Sequence, residues 1–363
     1  MRHLRVPSAQ TAHWIQHCKS RGWYEIGHRV QQIGDETAIP LSDLAPDESH
    51  KIWEGNSIVE IEATEKKPRY YWEHIASETR NAFNDEFPHG FEIQGDVLLV
   101  KIPPEMADVE GEIATAMMAQ FPSVRVVCHD EGVQGEFRIR NLRVLKARGD
   151  DSSTQTQYRE HGYEFTIDPA IAYFSGRLSS QRMKTLETIL SFRERKKRAL
   201  VIVDPYAGVG PSMALVYTDS TLISKAYLND LNPEAIPLLK SNMERFEAKR
   251  KHAGMCIIEC MDARNLAQAK PEMLGSSDVL LVNLPHDGIS HLSELFPLLN
   301  DEISLVCGWS IQDKGADILS QLQSAADSIE RTMIEYHIEE IKGFSFAKAM
   351  FRYDFVLSSR NMR

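Results

Sequence analysis

Apolar and polar positions change their period twice along this chain. HLRVP at the start reads as a strand, and Ala9, Ala12, Ile15 and Cys18 then recur at helical spacing until Gly22 stops the run. VQQIGDETAIPLS reads as a hairpin turning at Gly34-Asp35. Residues 1–42 thus form a small α/β module, too short for a large core of its own. Residues 43–80 are polar and weakly patterned, and read as a linker with some helix. A second segment, 81–176, has an α+β pattern. A strand covers GDVLLVKIP, a helix covers 107–121, and VRVVCHD, GEFRIRNLRVLKA and YEFTIDPAIAYF are further strands. Period two places Arg138 and Arg140 on one face of a strand.

From 199 onward strand and helix follow in strict turn. The order is ALVIVD, MALVYT, KAYLND, a helix over 233–246, MCIIECMD, a short helix, DVLLVNLP, a helix near 288–298, ISLVCGWS and a helix over 313–330. HIEEIKGFS and AMFRYDFVLS close the chain. Such alternation predicts a doubly wound, mostly parallel sheet that binds its ligand at the carboxyl ends of the strands. The last two strands, with no helix between them, predict an antiparallel edge hairpin.

Composition narrows the class. The chain has 363 residues, enough for two or three domains, and is 42% hydrophobic and 26% charged, as soluble globular proteins are. No apolar run reaches the roughly 18 residues of a membrane span, and the first residues lack a signal peptide's apolar stretch. The five cysteines make no CxxC pair and read as buried thiols in a reducing cytosol, Cys256 and Cys260 lying in one strand-like run. No metal site is expected among the thirteen histidines. The net charge of −11 argues against a nucleic-acid partner, yet Arg138–Arg148 holds five basic residues and no acidic one. Arg177–Arg198 holds eight basic residues and two acidic ones. Solvated faces and an anionic partner both remain open readings of these stretches.

Candidate chemistry gathers at the strand ends. In VIVDPYAGVGPS an apolar strand ends at Asp204, a turn carries Gly208 and Gly210, and a helix opens at Pro211. A carboxylate beside the loop is poorly placed for a pyrophosphate, and the spacing is not GxGxxG. It suits a cationic, amine-bearing ligand such as S-adenosylmethionine. Asp230 ends the next strand, where an acidic side chain would accept from ribose hydroxyls, and Asn232-Pro233 starts the next helix. Asp262 ends the third strand, within reach of an adenine amine. The fourth ends in Asn283-Leu284-Pro285, a fixed turn whose amide faces a planar nitrogenous substrate, followed by His286 and Asp287.

These motifs, in this order, resemble the archaeal and eukaryotic tRNA (guanine-N1)-methyltransferases that modify guanosine 37, and their relatives in wyosine synthesis. LRVPSAQTAHWIQHCKSRGWYEIGHRVQQIGDETAIPLS resembles the N-terminal tRNA-elbow module. DEGVQGEFRIRNLRVL and HGYEFTIDPAIAYFSGRLSSQRM resemble the middle-domain and hinge motifs, and DPYAGVGP, NDLNPEA and NLP those of the catalytic domain. The resemblance implies a Rossmann-like class I methyltransferase domain over 177–363, a middle α+β domain over 81–176 and an N-terminal α/β module. It implies a monomer with tRNA as partner. Arg138 then stabilises the guanine oxygen and Asn283 holds the guanine. Tyr173 and Arg177 line the space between cofactor and substrate, and Tyr206, Asp230 and Asp262 contact the cofactor. The candidate cofactor residues are Arg177, Asp204, Tyr206, Gly208, Gly210, Asp230, Asp262 and Asn283. Tyr173, Arg140 and Pro285 are candidate substrate contacts, and Arg138, Asn283 and Gln181 candidate catalytic residues.

Two departures stand out. Gly176 replaces a usual proline, and Gln181 replaces the glutamate proposed as general base. A glutamine amide does not take up a proton at neutral pH. Glu160, Glu164, Asp287 or water would have to substitute. The alternatives are transfer of the cofactor's aminocarboxypropyl group in wyosine synthesis, which the intact NLP opposes, and a tRNA-binding homologue that has lost its base.

Overall fold

The computed structural model describes residues 1–359 apart from 85, 136, 218, 220, 249–254 and 344. The chain folds as two compact units, Met1–Ser77 and Glu78–Arg363.

In the first unit β1 (Arg2–Pro7) is followed by α1 (Thr11–Ser20), β2 (Gln31–Ile33), β3 (Glu36–Pro40) and β4 (Ser57–Glu60). The sheet order is β2-β3-β1-β4. The expected hairpin forms, with Ile33 opposite Glu36. The helix buries Trp14 and Cys18, not the alanine stripe, because Trp14 packs beside Trp53 and supplies most of the apolar area. The segment expected as a linker is part of this fold: β4 pairs antiparallel with β1 from Arg2–Glu60 to Arg5–Ser57. Its short, polar sequence hides an edge strand, which buries few side chains.

At the boundary stands α2 (Ser77–Ala82), and a four-stranded sheet follows. It comprises β5 (Phe91–Gln94), β6 (Val97–Val100), β7 (Val126–Gln134) and β8 (Ile139–Ala147), in the order β5-β6-β7-β8. It carries α3 (Glu110–Gln120), which buries Ile113 and Met117. Arg138 is not on a strand face with Arg140. It sits in the β7–β8 turn at φ +52, its N–H donating to the Gly135 carbonyl over 3.2 Å. An alternation count cannot see a turn residue in the left-handed region.

The hairpin β9 (Thr156–Glu160) and β10 (Tyr163–Ile167) leads to α4 (Ser179–Lys196). Phe165, Ile167 and Phe174 share one apolar cluster with Ile189, Ile202 and Leu239, so the stretch expected to end the middle domain packs into the catalytic core. Seven strands then form one sheet in the order β13-β12-β11-β14-β15-β17-β16. They are β11 (Leu200–Asp204), β12 (Ile223–Asn229), β13 (Met255–Glu259), β14 (Val279–Val282), β15 (Ile303–Asp313), β16 (Arg331–Gly343) and β17 (Lys348–Ser359). The first five are parallel, and β17 runs antiparallel between β15 and β16. The connecting helices are α5 (Pro211–Val216), α6 (Ala235–Ala248), α7 (Leu266–Ala269), α8 (Leu292–Leu295) and α9 (Ile318–Ser328). Val279 and Leu281 enter one apolar cluster while Leu280 and Val282 enter another, so both faces of the sheet are covered, as a parallel sheet requires. Cys18, Cys128 and Cys307 are buried as expected, but Cys260 is exposed, because β13 ends one residue before it.

A buried ion pair ties the hairpin to α4. Arg182 Nε and Nη2 donate to the two Glu160 oxygens over 2.7 and 2.5 Å, and Nη2 also reaches the Ser175 carbonyl at 3.2 Å. The pair is 4% and 7% exposed, and the guanidinium lies 5.4 Å from the Phe174 ring centre. Glu160 is thereby engaged as an acceptor. Removing one partner strands the other's charge in the core. Arg182→Met should therefore cost about 3–5 kcal/mol, and Arg182→Met with Glu160→Gln should recover most of it. Denaturant midpoints of the three proteins check this, and equal midpoints for single and double variants would contradict it.

Candidate active site

Strand β11 ends at Asp204, 1% exposed, directly beneath the glycine turn. Tyr206 N–H donates to Asp204 Oδ1 over 3.2 Å, and Asn283 Nδ2 to Oδ2 over 3.3 Å. The same Asn283 nitrogen lies 3.4 Å from Ser212 Oγ at the start of α5. Both contacts take up the amide's donor side, so its carbonyl oxygen is the group left for a ligand. Burial pushes the Asp204 carboxyl up to about 7, the Tyr206 amide opposing and the nearby Asp230 charge adding to the rise.

The turn itself demands glycine. Gly208 and Gly210 stand at φ +55 and +84, and a Cβ on Gly210 would come within 2.8 Å of Leu239. The Gly208 N–H donates to Asp230 Oδ2 over 2.7 Å, and the Asn232 N–H to Oδ1 over 2.9 Å. Each Asp230 oxygen keeps a lone pair for a diol. Burial raises this carboxyl too. Asn232 does not begin the helix as its sequence suggests. It holds the turn before α6, donating to the Ile171 carbonyl over 2.7 Å and accepting from Glu234 N–H.

Asp262 caps a single turn after β13 and is paired with Arg264, whose hydrogen bonds hold its carboxyl below the usual range. The Tyr206 hydroxyl lies 2.8 Å from His291 Nδ1, and burial raises it well above the ordinary phenol value. Tyr173 is half exposed, with its carbonyl 3.9 Å from where a Gly208 Cβ would stand. Arg177 is exposed one turn ahead of Gln181, which is 7% exposed with its Oε1 lacking a partner among the described residues. Gly176 has its own reason: a Cβ there would collide with the Tyr158 hydroxyl.

Arg140 is not free for a substrate. Its two Nη atoms bind Asp130 and Glu92, each at 2.9 Å. Most of the charge in the two basic stretches is likewise paired. Arg143 binds Glu110 and Glu131, Lys184 binds Glu339, Arg195 binds Glu335, and Arg198 and Lys196 bind the buried Asp278. Within these stretches, and among the described residues, Arg138, Lys146, Arg148, Arg177 and Lys197 are exposed and enter no ion pair. Sequence reasoning missed Ser212, His291 and Arg264, which act through spatial neighbours that no spacing rule reveals. It also missed one HxxxH pair, His13 and His17. Their rings lie 6.2 Å apart within the aromatic group of α1, and among the described residues no trio of His, Cys, Asp or Glu is placed to hold a metal.

A parallel sheet with acidic side chains at three successive strand ends, a glycine turn over a buried carboxylate and an amide at the fourth end define a Rossmann-like class I methyltransferase. The donor set fits S-adenosylmethionine: a carboxylate penalised by burial gains from a cation, and Asp230 offers acceptors for a diol. Residues 156–306 match the TRM5/TYW2 methyltransferase domain and residues 71–152 the TYW2 N-terminal domain. The chain belongs to this TRM5/TYW2 family of S-adenosylmethionine-dependent methyltransferases. It is 26% identical over 277 residues to tRNA (guanine(37)-N(1))-methyltransferase Trm5b of Pyrococcus abyssi, covering 76% of this chain and 73% of that one. It is 27% identical to Trm5b of Methanocaldococcus jannaschii, covering 62% of this chain and 64%, just under two thirds, of that one. The solved complex of aTrm5 with tRNALeu superposes with a TM-score of 0.68 at 20% identity, over 98% of this chain and 99% of that one, a likeness of fold.

Two expectations follow. Asp230→Ala should weaken S-adenosylmethionine binding by about 1.5–3 kcal/mol, roughly 10–150-fold, read by calorimetry with NAD as the control that gives no heat. An unfolded aspartate ionises near 3.8 and folded Asp204 near 7, so between those values the folded state holds the extra proton. Stability therefore falls as pH rises through that window, by a few kcal/mol. Asp204→Asn should melt higher than wild type at pH 8, equal it near pH 4, and bind the cofactor more weakly. A lower melting temperature at every pH would refute this.

Proposed function

We propose that this protein transfers a methyl group from S-adenosylmethionine to N1 of guanosine 37 in tRNA, working as a monomer in the cytosol. The observation that carries the reading is Asn283, held at the end of β14 by Asp204 and Ser212 with its carbonyl oxygen left over. That oxygen can accept from a guanine N–H, and the fixed amide orientation selects the base. When bound, the cofactor supplies an electrophilic methyl on sulfur. Asp204, Asp230 and the glycine turn bind and orient it.

Arg138 acts from the β7–β8 turn. Its charge bears on His286, the residue after Pro285, which supports a place for it opposite the guanine edge. There it meets the negative charge that grows on O6 as N1 loses its proton. Pro285 is fixed in turn, its carbonyl accepting from Ile311 N–H over 2.6 Å. Exposed cations without an ion pair among the described residues, such as Arg138, Lys146, Arg148, Arg177 and Lys197, are the side chains this unit offers to tRNA. Among the described residues no helix is long and apolar enough to cross a membrane.

The TYW2 N-terminal match and Gln181 favour a second reading, action on a wyosine-pathway base at the same position. Mass spectrometry of nucleosides from tRNA incubated with enzyme and cofactor separates the two: N1-methylguanosine against a base carrying a four-carbon amino-acid chain. Arg138→Ala should lower single-turnover methylation by about 10²–10³-fold and leave tRNA affinity nearly unchanged. An equal loss of affinity would make Arg138 a phosphate contact instead.

A further inference from the structure

The guanine-N1 reading leaves one chemical role unfilled. N1 carries a proton that must leave, and Gln181 cannot take it. The carboxylates that the sequence offers in its place are poorly suited. Both Glu160 oxygens accept from the buried Arg182. Glu164 lies on β10, 3.2 Å from Arg159 and 3.9 Å from Arg245. Asp287 is exposed.

The turn that carries Asn283 also carries an imidazole. Gly288 N–H donates to the Leu284 carbonyl over 2.8 Å, closing residues 284–288 into one tight turn. A Cβ on Gly288 would come within 2.6 Å of that carbonyl and 2.9 Å of Val282, so the turn is packed against the end of β14. His286 occupies its middle, half-buried, one residue after Pro285. Ile311, which donates to the Pro285 carbonyl, packs with Leu178, one helical turn before Gln181. The Asn283 amide and the segment that bears Gln181 therefore meet at this turn, and the charge of the exposed Arg138 bears on its imidazole.

We propose that His286 is the general base of this enzyme, accepting the guanine N1 proton; the assignment rests on the guanine-N1 reading above. The charges of Arg138 in the β7–β8 turn, Lys348 at the start of β17 and Asp287 in its own turn bear on the imidazole. Burial first, then Arg138 and Lys348, hold it below the ordinary value of 6.5, against the pull of Asp287. At pH 7 the ring is neutral and can accept. In the reaction the N1–H bond breaks towards an imidazole nitrogen, and the N1 pair forms the bond to the methyl carbon. The carbon–sulfur pair returns to sulfur, and the imidazolium later gives its proton to water. Arg138, opposite O6, favours the anionic guanine while disfavouring the imidazolium, so the proton does not linger on the enzyme.

The test is single-turnover methylation of an unmodified tRNA transcript bearing guanosine 37, at saturating cofactor, from pH 5.5 to 9. The proteins are wild type, His286→Ala, Gln181→Glu and the double variant. Wild type should run flat from pH 6.5 upward and slow only towards the acid end of the range, where the imidazole takes up its proton. His286→Ala should lose about 10²-fold at pH 7, keep its cofactor and tRNA affinities within twofold, and speed up steadily as pH rises. Gln181→Glu should restore at least tenfold in the His286→Ala background. A His286→Ala rate within threefold of wild type across pH 6–8, or a loss explained by weaker binding, overturns the assignment alone. Absence of N1-methylguanosine with wild type overturns the guanine reading beneath it.

Discussion

Asp204 closes β11, an interior strand of the seven-stranded sheet, with a carboxylate almost wholly removed from water, and the site is arranged around that constraint. Two donors reach it, the Tyr206 amide and the Asn283 side chain, and neither carries a charge. A buried carboxylate so lightly compensated is held up to about 7 and weakens the empty fold at neutral pH. A cationic ligand removes that penalty, which makes the cost of folding a part of the affinity for the sulfonium cofactor. The same carboxylate orients Asn283. One hydrogen bond thus joins the ends of β11 and β14.

The remaining parts of the site are rigid because their backbone has little choice. Gly208 and Gly210 occupy left-handed conformations, and Asp230 grips the turn by accepting from Gly208 and Asn232. The Arg182–Glu160 pair ties the β9–β10 hairpin and the Ser175 carbonyl to α4, so Tyr173 and Arg177 stand on a braced segment rather than a loose loop. Such bracing holds reacting groups within the narrow geometry that methyl transfer needs. The charge distribution obeys the same economy. A chain with net charge −11 ties many of its basic side chains into internal pairs, Arg140 and Lys184 among them, while Arg138 and Arg177 stay exposed.

Much of this was legible in the chain itself. The strand–helix alternation after residue 199 predicts the parallel sheet, because strands buried on both faces must be continuously apolar and helices must cross between them. Asp204, Asp230, Asp262 and Asn283 could be found because each ends a strand, and strand ends are where such a sheet binds ligands. Local rules also located the Gly34-Asp35 hairpin and the need for glycine after Asp204. They failed where an element's identity depends on a distant partner. Ser57–Glu60 is a strand because β1 lies beside it, and Arg138 is a turn residue because the β7–β8 register leaves it out of the ladder.

Tertiary structure alone decided which charged side chains are available. Arg140 and Glu160 look as accessible in sequence as Arg138 and Glu164, yet each is held by residues at least ten positions away. It also decided which side of the Asn283 amide is left open, since Asp204 and Ser212 lie 79 and 71 residues away and take the donor side. Sequence determines the period of burial and the residues at strand ends, because those follow from covalent spacing. It does not determine who pairs with whom, because ion pairing, burial and the resulting proton affinities depend on distances that exist only once the chain has folded.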